Sequence, residues 1–91
     1  MSYIYVRHSV EDFDQWKVGF DAHKSARQAG GANDEEYVMR NADDPNEVVV
    51  MLGWNDLEKA RQFTQSPELK EAMQKVGVTG PPEIRFLEAA G

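Results

Sequence analysis

The sequence predicts an α+β fold in which four strands form one antiparallel sheet and helices cover only one face of it. The first supporting observation is the order of strand-like and helix-like segments, which is β-α-β-β-α-β. The second is a turn-rich segment between the second and third predicted strands. The third is an uninterrupted apolar run at residues 48–52, which is unusual for a strand with one face in water.

The first half of the chain has the pattern of a strand followed by a helix. Residues 3–10 are rich in β-branched and aromatic side chains, and alternation places on one face Ile4, Val6, His8 and Val10. Asp12 followed by Gln15 forms a capping-box pattern that predicts the helix start. Helical spacing then predicts one inward stripe, consisting of Phe13, Trp16, Phe20, His23 and Arg27. Gly30 and Gly31 predict the helix end.

The clearest local signal is a hairpin in the middle of the chain. Residues 36–41 predict the second strand, and residues 47–54 predict the third. Between them, residues 43–46 predict a turn with Pro45 at its corner. The apolar run in the third strand predicts that both faces of that strand are buried.

The remainder of the chain predicts a helix in two pieces and a last strand. A capping box beginning at Asn55 predicts the first piece, and the serine–proline pair at residues 66–67 predicts that the helix restarts there. Gly77 predicts the end of the second piece. Residues 80–82 predict a stiff, extended lead into a strand over residues 83–88.

This order of elements is the split βαβ arrangement of ferredoxin-like domains, with an antiparallel four-stranded sheet. One layer of helices covers only one side of such a sheet. The doubly apolar third strand therefore predicts a second sheet against the bare face, which a homodimer supplies most simply. We expect a dimeric α+β barrel.

Length and composition limit the remaining possibilities. At 91 residues the chain is expected to be one domain over residues 1–91, too small for a second core. It has no cysteine, so it forms no disulfide bonds. Its net charge is −6, so we expect neither nucleic-acid binding nor docking on anionic lipid. No leader peptide and no apolar run of about 20 residues is apparent, and we expect a cytoplasmic protein with no role in membranes.

Four stretches of the sequence resemble the dimeric α+β barrel superfamily, and within it the antibiotic biosynthesis monooxygenase-like and cyclase-like small proteins. The stretches are VRHSVEDFDQW (residues 6–16), DPNEVVV (44–50), WNDLEKA (54–60) and SPELKEAM (66–73). The resemblance implies a pocket between helices and sheet that suits a flat hydrophobic molecule. Members that act as cofactor-free oxygenases take polycyclic aromatic substrates, whereas haem-degrading members use a histidine on a later helix. Residues 56–76 contain no histidine, which disfavours haem degradation here.

Three residues are candidates for catalysis. His23 is predicted to face inward beside Arg27, so a neutral imidazole there could accept a phenolic or enolic proton while the guanidinium stabilises the oxyanion. The alternative is a structural histidine satisfied by hydrogen bonds. His8 shares its strand face with apolar residues, and parity does not say whether that face lines the pocket or a subunit contact.

Four aromatic residues are candidates for substrate binding: Trp16, Phe20, Tyr37 and Trp54. Each could stack on a flat ligand or fill the core. The two histidines have no metal-ligand spacing, so we expect neither a metal nor another cofactor. The sequence thus predicts a homodimer with an apolar pocket, resembling cofactor-independent monooxygenases or cyclases of aromatic or polyketide-like molecules. A non-catalytic ligand-binding or structural dimer is the alternative.

Overall fold

The computed structural model describes residues 1–90, which contain four strands and four helices. The strands are β1 (Ser2–Val10), β2 (Ala32–Asn41), β3 (Asp44–Trp54) and β4 (Val78–Glu88). The helices are α1 (Phe13–Ala22), α2 (Lys24–Ala29), α3 (Leu57–Thr64) and α4 (Pro67–Lys75). The strands form one antiparallel sheet in the order β2-β3-β1-β4. This topology confirms the predicted ferredoxin-like α+β fold.

The local signals that begin and end the helices are mostly where the sequence predicts them. The Asp12 carboxylate accepts a hydrogen bond from the backbone of Asp14, and the Ser66 hydroxyl accepts one from Leu69. Gly77 follows α4 with a φ of 84°, a left-handed conformation that glycine adopts without steric cost. The first predicted helix is in fact two, because the backbone at His23 (φ −91°, ψ 7°) leaves α-helical geometry.

Predicted boundaries differ from the structure in four places, and the first is β2, which begins at Ala32 rather than at residue 36. The α3 N-cap is Asp56 rather than Asn55, because the Asp56 carboxylate accepts hydrogen bonds from two backbone N–H groups of the first turn while the Asn55 side chain bonds to Asn33. The hairpin turn is one residue pair, 42–43, since Asn41 already pairs with Asp44. Strand β4 begins at Val78, before the Gly-Pro-Pro segment, which lies within the strand as a bulge opposite β1.

The two faces of the sheet differ in how far the chain covers them. On the face under the helices, the most deeply buried side chains are Ile4, Val48, Val50 and Trp54. On the opposite face Val49 and Met51 are half-buried, while Tyr37 and Met39 are about half exposed. The predicted burial of β3 is therefore complete on the helix face only, within one chain. None of the helices in residues 1–90 is long and apolar enough to cross a membrane.

Candidate functional site

A narrow apolar cavity lies between the helices and the covered face of the sheet. Its floor comes from β1, β3 and β4 and includes Val6, His8 and Leu52. Its roof comes from α1, α3 and α4. The cavity volume is about 80 Å³, which is smaller than the roughly 150 Å³ of an engineered cavity that binds benzene. The cavity is therefore smaller than one aromatic ring requires, although its lining is mainly apolar with a few polar groups, as in small-molecule sites.

One wall of the cavity is a continuous stack of rings ending in a cation. The His8 imidazole meets the Trp16 ring edge to face, with 5.5 Å between centroids. Trp16 stacks on Phe20 at 4.9 Å, and the Arg27 guanidinium lies 3.8 Å from the centroid of the Phe20 ring. Such stacked and cation–π contacts favour a flat aromatic surface that a planar ligand can extend. The structure therefore brings together four of the predicted site residues.

His8 is the titratable group inside this wall, and its geometry fixes its protonation. The side chain is buried, and Nδ1 lies 3.3 Å from the Val48 carbonyl oxygen. Because a carbonyl oxygen only accepts hydrogen bonds, this contact favours the tautomer with the proton on Nδ1 and the lone pair on Nε2. Burial lowers the pKa of His8 below its ordinary value of 6.5, against a smaller raising effect of the Val48 hydrogen bond. His8 is thus neutral at pH 7, with Nε2 as a base.

Arg27 is buried and already partnered. Its Nη1 donates to the Phe20 carbonyl oxygen at 2.7 Å, and its Nη2 donates to the Glu36 carboxylate at 3.2 Å. These bonds pin the guanidinium over the Phe20 ring and neutralise its charge. Two N–H groups of the five on a guanidinium are engaged in this way, so others remain to donate to a bound oxyanion.

His23 lies at the edge of the cavity rather than inside it. It occupies the break between α1 and α2, and its side chain is exposed although it still borders the cavity. Its backbone N–H donates to the carbonyl oxygens of Gly19 and Phe20. The predicted inward stripe of the first helix is therefore correct for Trp16, Phe20 and Arg27, while His23 stands at the mouth.

Two of the predicted substrate-binding aromatics lie outside the cavity lining. Trp54 is fully buried, donates from Nε1 to the Gly30 carbonyl oxygen at 3.0 Å, and packs on Phe63 with centroids 5.0 Å apart. Tyr37 lies on the opposite face of the sheet, where it pairs with Met51. In the single chain Trp54 therefore fills the core and Tyr37 faces away from the cavity.

None of the residues on the α3–α4 side of the cavity is among the site residues predicted from the sequence. That side is lined by Phe63, Thr64, Leu69, Ala72, Met73 and Val76. The apolar spacing on α4 signals an inward face but does not distinguish the wall of a cavity from a filled core. Glu36, the partner of Arg27, has no local sequence signal because the two residues meet only in the folded chain.

No group of three histidine or carboxylate side chains within residues 1–90 is placed to hold a metal ion. The two histidines also differ in setting, since His8 is buried and His23 is exposed. The polar chemistry that this part of the chain offers in the cavity is that of imidazole, guanidinium and the Thr64 hydroxyl.

Known proteins share this architecture. Residues 20–75 match the family model of the antibiotic biosynthesis monooxygenases. A candidate antibiotic biosynthesis monooxygenase from Bordetella bronchiseptica superposes with a TM-score of 0.78 at 15% identity, covering 98% of this chain and 96% of that one. SnoaB, a cofactor-independent oxygenase from Streptomyces nogalater, superposes with a TM-score of 0.77 at 15% identity, covering 99% and 93%.

A third structure, of a candidate antibiotic biosynthesis monooxygenase from Deinococcus radiodurans, has a TM-score of 0.69 at 16% identity and covers 100% of this chain and 94% of that one. At these identities the superpositions show a shared fold. Among curated proteins none matches this chain by sequence. The family model, in contrast, spans more than half of the chain. The chain therefore belongs to the antibiotic biosynthesis monooxygenase family.

Proposed function

We propose that this protein binds a flat phenolic or enolic aromatic molecule of polyketide type and oxidises it with O₂ without a cofactor. The observation that carries the proposal is a neutral, buried histidine in the aromatic wall of a cavity. The SnoaB likeness supports it, because that protein is a cofactor-independent oxygenase with the same fold. A shared fold does not determine the reaction, so the proposal depends on the residues of the cavity.

The proposed reaction starts with a proton transfer to His8. Its Nε2 takes the acidic proton of the bound substrate, and the resulting electron-rich anion reduces O₂ and forms a carbon–oxygen bond to it. The peroxide at that carbon takes up the proton and loses water, which leaves a carbonyl group. For an anthrone, the CH₂ group becomes C=O, one oxygen atom of O₂ enters the product and the other leaves as water. The electrons come from the substrate, and His8 is regenerated.

The rest of the stack positions the substrate and stabilises its anion. Trp16 and Phe20 offer ring faces for the aromatic substrate. Arg27 holds Phe20 in place, and the N–H groups that Phe20 and Glu36 do not engage can donate hydrogen bonds to a developing oxyanion at the end of the stack. His23, exposed at the mouth, takes no part in the proton transfer in this scheme.

Oxygen consumption with anthrone and with 1-naphthol tests the proposal. The His8→Asn variant keeps an N–H donor for the Val48 carbonyl oxygen but removes the basic Nε2. We expect it to lower kcat at least about 100-fold, the usual contribution of a positioned base. His23→Asn is the matched control and should leave kcat unchanged.

Two outcomes would contradict this assignment. Loss of turnover in His23→Asn together with full turnover in His8→Asn would exchange the roles of the two histidines. No oxygen uptake by the wild-type protein with either compound, under conditions where both bind, would favour a ligand carrier. The pairing of Arg27 with Glu36 is the observation that favours such a carrier, since it leaves the cavity without a free cation.

The homodimer belongs to the same proposal. The helix-free face of the sheet presents Tyr5, Tyr37, Met39, Val49 and Met51, and the chain itself leaves these side chains only partly covered. A second copy, related by a two-fold axis, would bury this face against its own. Two sheets packed in this way would form the dimeric α+β barrel that the sequence predicts.

A further inference from the structure

Two grooves adjoin the central cavity, and one residue lines all three spaces. The first groove, of about 630 Å³, lies between α4 and the Gly-Pro-Pro bulge of β4. The second groove, of about 570 Å³, lies between α2 and α3 and ends at the start of α4. Within residues 1–90, Leu69 is the one residue that lines the cavity and both grooves.

The volumes make this junction important for any ligand. A cavity of about 80 Å³ is too small for one aromatic ring, as judged by the roughly 150 Å³ cavity that accepts benzene. Small-molecule sites usually have about 300–1,000 Å³. The missing space lies immediately on the other side of the Leu69 side chain, in the two grooves. A ligand in the cavity therefore gains room where Leu69 moves.

The Leu69 backbone is fixed by a hydrogen bond, whereas its side chain is only partly packed. The Ser66 hydroxyl accepts the Leu69 N–H bond at 3.1 Å, which fixes the first turn of α4. At the other end of α4, the Val76 side chain packs so closely on Gly19 that a Cβ added to Gly19 would lie 2.0 Å from Val76 Cγ1. The Leu69 side chain is only half-buried, and it has empty space on both sides. A change of its rotamer would move the Leu69 side chain between these spaces.

Other lining residues do not have this position. Met73 and Thr64 border the cavity and the first groove only, and Phe63 borders the cavity and the second groove only. Phe63 is also held by its contact with Trp54. We propose that Leu69 is the gate that sets how many fused rings the site accepts, and that ligands of three or more rings extend past it into the grooves. This inference rests on the proposed aromatic ligand.

Binding of ligands graded by size tests the gate without any chemistry. The probes are 1-naphthol, anthrone and a four-ring tetracenone, titrated by isothermal calorimetry under anaerobic conditions so that none is oxidised. Leu69→Ala should raise the affinity ratio of the four-ring to the two-ring compound about tenfold, and Leu69→Phe should lower it by a similar factor. Leu57→Ala is the matched control because Leu57 is half-buried on α3 and lines none of the three spaces.

The possible outcomes separate the gate from the function. If the probes bind but both Leu69 variants keep the wild-type ratio, the gate is wrong and the aromatic site stands. If Leu57→Ala shifts the ratio as much as Leu69→Ala, the effect is general loosening and the gate is wrong as well. If no probe of any size binds to the wild-type protein, the proposed function and the gate fail together.

Discussion

Strand β3 presents apolar side chains on both faces of the sheet, but the chain buries only one of these faces. On β3, Val48 and Val50 are at most 2% exposed under the helices, while their neighbours Val49 and Met51 on the other face are only half-buried. The covered face contains the cavity and His8. The chain thus covers one face by itself and leaves the other partly open, and strand parity decides which residues lie on which face.

The open face is itself divided into two parts. Towards β4, Arg7 forms ion pairs with Glu47 and Glu83, and Arg85 also pairs with Glu83. Towards β2 and β3 the side chains are mainly aromatic or thioether, as at Tyr37 and Met51. A self-complementary contact with an apolar centre and a charged border is typical of protein interfaces. The charged side is therefore the expected border of the proposed dimer contact.

The largest expected effect comes from a charge placed in the centre of the open face. Met51→Lys would bury one unpaired ammonium group per subunit in the proposed contact, at a cost of about 3–5 kcal/mol each. We expect the dissociation constant to rise more than about 100-fold, so that the species at micromolar concentration falls from a dimer to the 10.3 kDa chain. Sedimentation velocity measures this change.

The control for this prediction is Val18→Lys. Val18 is an exposed apolar residue (71%) on α1, away from the open face. Its substitution should leave the assembly intact. Wild-type protein that sediments as a single chain at micromolar concentration would contradict the dimer, and so would dissociation in the Val18→Lys variant alone.

The next largest effect is expected on the covered face. Trp16 is 3% exposed and contacts both His8 and Phe20, so Trp16→Ala should lower the free energy of unfolding by about 3–5 kcal/mol. Urea denaturation at one fixed protein concentration measures it. Val18→Ala, at an exposed position, should change this free energy by less than about 0.5 kcal/mol. A loss below about 1 kcal/mol in Trp16→Ala would mean that the stack is not a fixed wall.

Much of the fold was predictable because its signals are local. Periodicity gave the succession of strands and helices along the chain, and caps at Asp12 and Ser66 were correct because each side chain accepts a backbone N–H bond within its own helix turn. The error at Asn55 has the same origin. Asn55 and Asp56 are both good N-caps, and the choice depends on a hydrogen bond from Asn33, which is distant in sequence.

The site was less predictable because it depends on contacts between elements. The spacing of Trp16, Phe20 and Arg27 correctly indicated one face of the first helix. It did not show that the helix breaks at His23 and that the break leaves the His23 side chain exposed at the mouth of the cavity. Nor does a single strand show which of its faces the helices cover, which is why Tyr37 was grouped with residues from the other side of the sheet.

The state of the His8 ring tests the central claim most directly. Nitrogen NMR of the imidazole follows Nδ1 and Nε2 as pH changes and as anthrone is added without oxygen. At pH 7 we expect a neutral ring with its proton on Nδ1. As the pH falls, the ring should become charged only below 6.5, the ordinary pKa of histidine. The Nε2 signal should change when anthrone binds. A charged ring at pH 7, or an Nε2 signal that bound anthrone leaves unchanged, would contradict the assignment of His8 as the base.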